Sequence, residues 1–285
     1  MNAVVRTILL GAASLAALAS AAQAADIIEQ PYYEPAPEVV PVEVGSGWYL
    51  RGDVSYDFES DLDAGYRTYG PLCKNCSPFY ETQEYDGFKI EENANVGVGV
   101  GYQFNEFLRG DLTAHYWKSD AHGTDTGGFG IDCFGVARSS SSCVSTDKTE
   151  MTAWELMANA YVDLGTYAGF TPYVGAGVGA VHIEYDALTN TAQNVVNGQV
   201  GAVAYTGTHP GLEDWRFAYA LMAGASYDLT QALKLDVGYR YVNVEEGDMF
   251  GFDKDTAAGG AVGTQGFDKG FDRHTIQAGL RYSLF

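Results

Sequence analysis

Trp48-Tyr49-Leu50-Arg51-Gly52-Asp53-Val54-Ser55-Tyr56-Asp57-Phe58 decides the class of this chain. In an extended backbone Trp48, Leu50, Gly52, Val54, Tyr56 and Phe58 fall on one side, and Tyr49, Arg51, Asp53, Ser55 and Asp57 on the other. A period of two is the signature of a β strand with unlike faces. The pattern returns over 93–104, 108–117, 152–164, 173–185, 215–227, 233–241 and 275–284, giving eight strands. In 173–185 Gly and Val simply alternate, and His182 and Glu184 suggest that Val181, Ile183 and Tyr185 face outward.

Such alternation suits a soluble sandwich with its apolar face inward, or a membrane barrel with that face toward lipid. Three features favour the barrel. Aromatic residues gather at strand ends (Trp48, Phe58, Tyr102, Phe104, Tyr116, Trp154, Trp215, Tyr227), as they do at membrane interfaces. The polar faces mix ions of both signs. Connections alternate in length, with 105–106, 165–170 and 230–232 short and 59–87, 118–149, 186–213 and 245–271 long. The expectation is therefore an all-β, antiparallel up-and-down transmembrane barrel of eight strands, with short periplasmic turns and four long extracellular loops. Strand eight would pair with strand one, because lipid cannot satisfy an open edge.

The segments before Trp48 read differently. Arg6 precedes an apolar run, Ile8–Ala19, and Ala22-Gln23-Ala24 offers a small-x-small cleavage pattern, so 1–24 is expected to be a removed secretory signal. Residues 25–46 interleave Pro31, Pro35, Pro37 and Pro41 with acidic side chains, which predicts an extended periplasmic linker. The barrel would then occupy 47–285. A net charge of −21 repels nucleic acid and disfavours it as a partner.

The polar faces supply the candidate site. Arg51, Asp53, Arg109, Asp111, Glu155, Arg216, Lys234, Asp236, Arg240 and Arg281 would all point into a lumen barely wide enough for its own side chains. Charges there are tolerable when paired, so a salt-bridged filling is expected, with a narrow ion-selective pore as the alternative. Cys73, Cys76, Cys133 and Cys143 lie in the first two long loops. Two local disulfides, or bridges between the loops, suit an oxidising compartment, with zinc held by all four as the competing reading. Gly97-Val98-Gly99-Val100-Gly101 lacks the strand-to-helix turn of a dinucleotide loop, and its glycines more simply make room for lumenal side chains.

Neither enzyme, metal nor cofactor is implied. The five histidines have no metal-ligand spacing, and the nearest approach to a Ser-His-acid set, His182, Glu184 and Ser226, reads as lumenal. The long loops hold 18 Asp and Glu against seven Lys and Arg, without calcium-loop spacing. Gly251-Phe252-Asp253-Lys254 returns there as Gly266-Phe267-Asp268-Lys269. These loops would be plain solvated, variable surface, or would meet lipopolysaccharide through bridging cations, or a host or partner surface.

The chain resembles the small outer-membrane β-barrel family of proteobacteria, in particular the opacity-protein-like and porin-like surface antigens of alphaproteobacteria. The resemblance is carried by Gly47–Asp53, Gly97–Tyr102, Thr171–Gly179 and Ala278–Tyr282, and extends from Gly47 to Phe285. It implies insertion by the barrel-assembly machinery, which reads a C-terminal strand ending in an aromatic residue. Leu280, Tyr282 and Leu284 share a face here and Phe285 falls on the other, so either a bulge near Ser283 restores the register or the signal is read imperfectly. The function expected is structural, with surface display; the alternatives are a small porin and an adhesin or receptor acting through the acidic loops.

Overall fold

The computed structural model describes residues 47–71, 78–126, 133 and 141–284. The expected signal and linker, together with Cys73, Cys76 and Phe285, lie outside the described residues. The described chain forms fourteen strands: β1 (Trp48–Asp57), β2 (Ser60–Pro71), β3 (Pro78–Glu84), β4 (Gly87–Ile90), β5 (Asn93–Gln103), β6 (Leu108–Thr126), β7 (Ser141–Asp163), β8 (Phe170–Tyr185), β9 (Leu188–Val196), β10 (Gln199–His209), β11 (Glu213–Asp228), β12 (Leu233–Val244), β13 (Gly247–Gly251) and β14 (Thr264–Ser283). One short helix, α1 (Lys254–Ala258), precedes β14. No helix is long and apolar enough to cross a membrane.

Eight strands is therefore too few. All fourteen belong to one sheet. Within it, antiparallel pairing runs β1–β5–β6–β7–β8–β11–β12–β14, and β14 returns to β1. The other six strands arise from connections expected to be loops. β2, β3 and β4 fill the first, β9 and β10 the third, and β13 lies with α1 in the fourth. β6, β7 and β14 also run well beyond the predicted segments. β6 and β7 pair without interruption from Leu108↔Val162 to Thr126↔Val144, 19 residues of ladder. Only about 10 residues of a tilted strand are needed to cross a bilayer, so much of this ribbon stands beyond it.

At the other end the turns are tight for identifiable reasons. Asn105 Oδ1 accepts hydrogen bonds from the Phe107 and Leu108 amides, each at 2.9 Å, closing the β5–β6 turn. Thr230 Oγ1 does the same for Ala232 and Leu233 between β11 and β12. The β7–β8 turn uses left-handed backbone at Gly165, Ala168 and Gly169.

Each ring strand keeps one parity within the ring, and β14 changes faces only beyond it, at the irregularity between Asp268 and Phe271 where Gly270 takes a positive φ. In β1 the even residues are exposed and the odd ones buried: Val54 is 62% exposed and Asp57 1%. Exposed apolar residues outside and buried ions inside reverse the arrangement of a soluble domain. The same parity corrects the reading of 173–185: Val181, Ile183 and Tyr185 are buried, while Glu184 is exposed and His182 packs on Trp215. An unbroken strand cannot exchange faces midway, and β8 contains no bulge in either of its ladders. Pairing of β14 with β1 is likewise continuous to Ser283↔Tyr49, so no bulge is present there.

The aromatic residues form two levels. Trp48 and Tyr102 meet edge-on at 5.3 Å, Tyr102 meets Phe104, and Tyr227 packs on Phe170 near the short-turn end. Tyr116 packs on Trp154 at 4.7 Å, and Tyr56 on Phe58, near the long-connection end. Trp48 and Tyr56 are eight residues apart on one strand, about 26 Å at the usual rise. With a tilt of ~40° the levels stand ~20 Å apart, close to the apolar band of such barrels.

Lumen-facing glycines oppose large side chains. A Cβ on Gly101 would lie 2.2 Å from the Tyr49 ring, and one on Gly97 2.2 Å from His115. Gly101→Leu is expected to cost at least ~2 kcal/mol through overpacking, whereas Val100→Leu, facing outward on the same strand, should leave the urea unfolding midpoint in detergent micelles nearly unchanged.

Candidate functional site: a filled lumen beneath a strand-built crown

The lumen is filled in layers, beginning at the short-turn end. Arg281 donates to Ser226 at 2.9 Å, reaches Asp236 at 3.4 Å and lies over the Tyr49 ring. Arg109 is bound to Asp163 at 3.1 Å and sits between the rings of Tyr161 and Tyr173. Above them Arg51 grips Asp53 with two donors, at 2.8 and 2.9 Å, and Asp111 with a third at 2.8 Å. Asn159 donates to the other Asp111 oxygen. The two-donor grip fixes direction as well as charge, which is why guanidinium suits this layer better than ammonium.

Next comes the Glu155 layer. Its carboxylate pairs with Arg240 and, at 3.1 Å, with Arg273. Arg273 also pairs with Asp57, which accepts from Asn95 and Thr275, and its guanidinium lies 3.9 Å from the centre of the Trp117 ring. Six arginines (51, 109, 216, 240, 273, 281) and seven carboxylates (53, 57, 111, 155, 163, 236, 268) are buried along the barrel axis. Although the whole chain carries −21, this interior is nearly neutral.

Immediately beyond lies an apolar layer. Leu62, Phe88, Ile90, Met151, Val181, Ile183, Val242, Val244, Met249 and Phe271 are all buried in one cluster. Strands β2, β4 and β13, invisible to the sequence reading, bring four of these residues (Leu62, Phe88, Ile90 and Met249) over the end of the barrel.

The expected lumenal set is thus mostly gathered, with two corrections. Lys234 is not in the buried network: it pairs with Asp228 at the short-turn rim, where both side chains remain about a third exposed. Arg216 is buried but stands apart, bound to Asp214 and Asp268 at the opposite end. Sequence reasoning missed Asp57, Asp163, Asp268 and Arg273. The first two lay in correctly placed strands on the inward parity. Arg273 lay in a segment taken for loop, and extending the period-two pattern backward from Thr275 would have found it. His182, Glu184 and Ser226 do not converge, since Ser226 is buried in the lumen and the other two face away from it.

Around the far end, β2–β4, β9, β10, β13 and the extended parts of β6, β7 and β14 build a crown. The sulfur atoms of Cys133 and Cys143 lie at bonding distance there, with Cα atoms 4.8 Å apart. The two Gly-Phe-Asp-Lys copies fold differently. Asp253 caps α1 by accepting from the Asp255 and Thr256 amides, whereas Asp268 lies buried on Arg216 in β14. A cavity of about 380 Å³ opens within the crown, with Asp125 and Asp147 in its wall. Burial, followed by the charge of Asp125, pushes the Asp147 carboxyl up to about 6 against the hydrogen bond from Asn190. Among the described residues no group of three or more His, Cys, Asp or Glu side chains is placed to hold a metal.

The sequence from residue 10 to 283 matches the outer membrane protein beta-barrel domain, and the chain belongs to that family. An uncharacterized protein of Brucella suis biovar 1 is 38% identical over 275 residues, 93% of each chain. A Rickettsia felis protein with the provisional name of adhesin is 25% identical, covering 85% of this chain and 90% of its own. The crystal structure of Neisserial surface protein A covers 85% of this chain and all of its own at 15% identity, with a TM-score of 0.41 too low to add to the argument.

Glu155→Ala leaves Arg240 and Arg273 without their shared carboxylate in a dry layer, and should destabilise the barrel by ~3–5 kcal/mol. Lys234→Ala removes only a rim pair and should cost less than ~1 kcal/mol. Urea titrations of both variants refolded in micelles would check the contrast.

Proposed function

We propose that this chain is a closed outer-membrane barrel without enzymatic activity, whose eight-strand ring spans the membrane and carries the crown as a display surface outside the cell. The observation that carries this reading is the double filling of the lumen. An ion entering from the short-turn end meets guanidinium–carboxylate pairs whose charges already neutralise one another, and then the buried apolar cluster. Crossing that cluster would strip the ion's hydration without offering it a ligand, which costs several kcal/mol or more. The porin alternative requires this cluster to part.

In this reading the short turns are periplasmic and the acidic crown faces the lipopolysaccharide layer. Residues 1–24 serve as the cleaved signal, 25–46 as the periplasmic linker, and the Leu280–Leu284 strand with Phe285 as the feature recognised by the assembly machinery. The adhesin reading gains weight from the folded character of the long connections and from the name of the rickettsial relative. A rigid, strand-built surface presents the same face at each encounter and loses less entropy on binding than loose loops would. Export would also place Cys133 and Cys143 in an oxidising compartment, where a disulfide persists.

Planar-bilayer recordings of refolded protein are expected to give no steady conductance, and reproducible single-channel steps would overturn the closed-barrel reading. Thiol labelling of unreduced mature protein should leave Cys133 and Cys143 unmodified until a reductant is added. Labelling of both before reduction would remove the disulfide.

A further inference from the structure

The crown cavity combines two features that the barrel does not require. Its wall holds two carboxylates, Asp125 on β6 and Asp147 on β7, and among the described residues lining it there is no Lys or Arg. Asp147 is only 1% exposed. Its Oδ1 accepts from Asn190 at 2.7 Å, while among the described residues no donor reaches Oδ2. Asp125 accepts from the Tyr66 hydroxyl at 2.6 Å. Among the described residues no cation stands beside this buried carboxylate, whereas each of the seven in the barrel lies within salt-bridge reach of a guanidinium.

The remaining walls are aromatic. Tyr66 and Tyr85 stand with ring centres 5.0 Å apart, Phe250 contributes to the floor, and Tyr205 stands exposed at the mouth. Ring faces are negative and attract a cation, and an apolar body around the charge is desolvated at little cost. Carboxylates supply the counter-charge. A hydrated inorganic ion would gain little from the rings and would find two carboxylates rather than a full oxygen shell. A neutral sugar would leave the buried charge uncompensated.

We propose that this cavity binds a small organic cation, an ammonium group bearing methyl or methylene substituents, between the acidic pair and the tyrosine rings. At about 380 Å³ the cavity lies within the size range of small-molecule sites. The inference does not depend on whether the lumen conducts.

Among the described residues, the groups facing Asp147 are Asp125 of β6, Tyr66 of β2, Tyr85 between β3 and β4, Asn190 of β9 and His209 of β10, while Lys148 is exposed on the opposite face of β7. Burial keeps the His209 ring below its ordinary range, so near neutral pH it brings no charge. As pH falls through about 6, Asp147 takes up a proton and its counter-charge is lost. Any proton gained by His209 acts in the same direction.

The test uses the full mature chain refolded in zwitterion-free detergent, with choline as probe and 3,3-dimethylbutan-1-ol as its uncharged counterpart of the same shape. Calorimetric titration at pH 8 should detect choline, with the alcohol at least tenfold weaker and choline affinity falling between pH 7 and 5. Asp147→Asn should weaken choline tenfold or more and flatten the pH dependence. Tyr205→Ala, at an exposed position that leaves folding intact, should weaken it severalfold even if the first variant does not refold. Folding of each variant is checked by heat-modifiable electrophoretic mobility. Equal binding of the two probes, no binding of either, displacement of choline by millimolar calcium at constant ionic strength, or full affinity in Tyr205→Ala would overturn the proposal.

Discussion

Hydrocarbon offers no hydrogen-bond partner, so every amide and carbonyl of a spanning strand must find one within the protein. The β14–β1 ladder, nine residue pairs from Thr275↔Asp57 to Ser283↔Tyr49, meets that constraint by joining the last strand to the first. Closing eight strands leaves so narrow an interior that side chains must fill it, and the closure therefore dictates the contents. Outside, any apolar residue serves. Inside, volume and charge must both balance, which explains a glycine opposite Tyr49 and another opposite His115, and arginines matched nearly one for one with carboxylates.

The molecule divides its charge unevenly. Nearly all the −21 belongs outside the lumen, and the long connections alone carry 18 acidic residues against seven basic. Neutrality within is required by the cost of burying an unpaired ion, whereas acidity without costs little in water. The apolar cluster above the Glu155 layer separates these regimes. It also gives β2, β4 and β13 something to cover, which is why the connections are folded rather than loose.

Much of this was legible from sequence, because strand parity is a local property. Arg51, Asp53, Asp111, Glu155, Asp236, Arg240 and Arg281 were placed on the inward face by counting in twos. Parity failed where residue types contradicted it: Val181 and Ile183 look lipid-facing and His182 looks lumenal, yet the pleat of β8 overrides all three. The six additional strands escaped for another reason. Three of them, β2, β4 and β9, join the ring through partners distant in sequence, as in Gly266↔Tyr66 or Gly87↔Thr124. β3 and β10 only complete hairpins on β2 and β9, and the alternation is diluted by Gly, Thr and Asn. Burial of Asp147 followed from the same unseen pairing, so the crown cavity had no local signal to reveal it.

β6 and β7 pass from ring to crown as one ladder, and no hinge lies between the two parts. A load on the crown is therefore borne by the same hydrogen bonds that hold the barrel closed, in shear along the strands rather than by peeling at a joint. The crown cannot tilt independently of the barrel, so the angle of its outer face is set by how the barrel sits in its membrane. Whatever meets this surface meets it at a fixed height and in a fixed orientation.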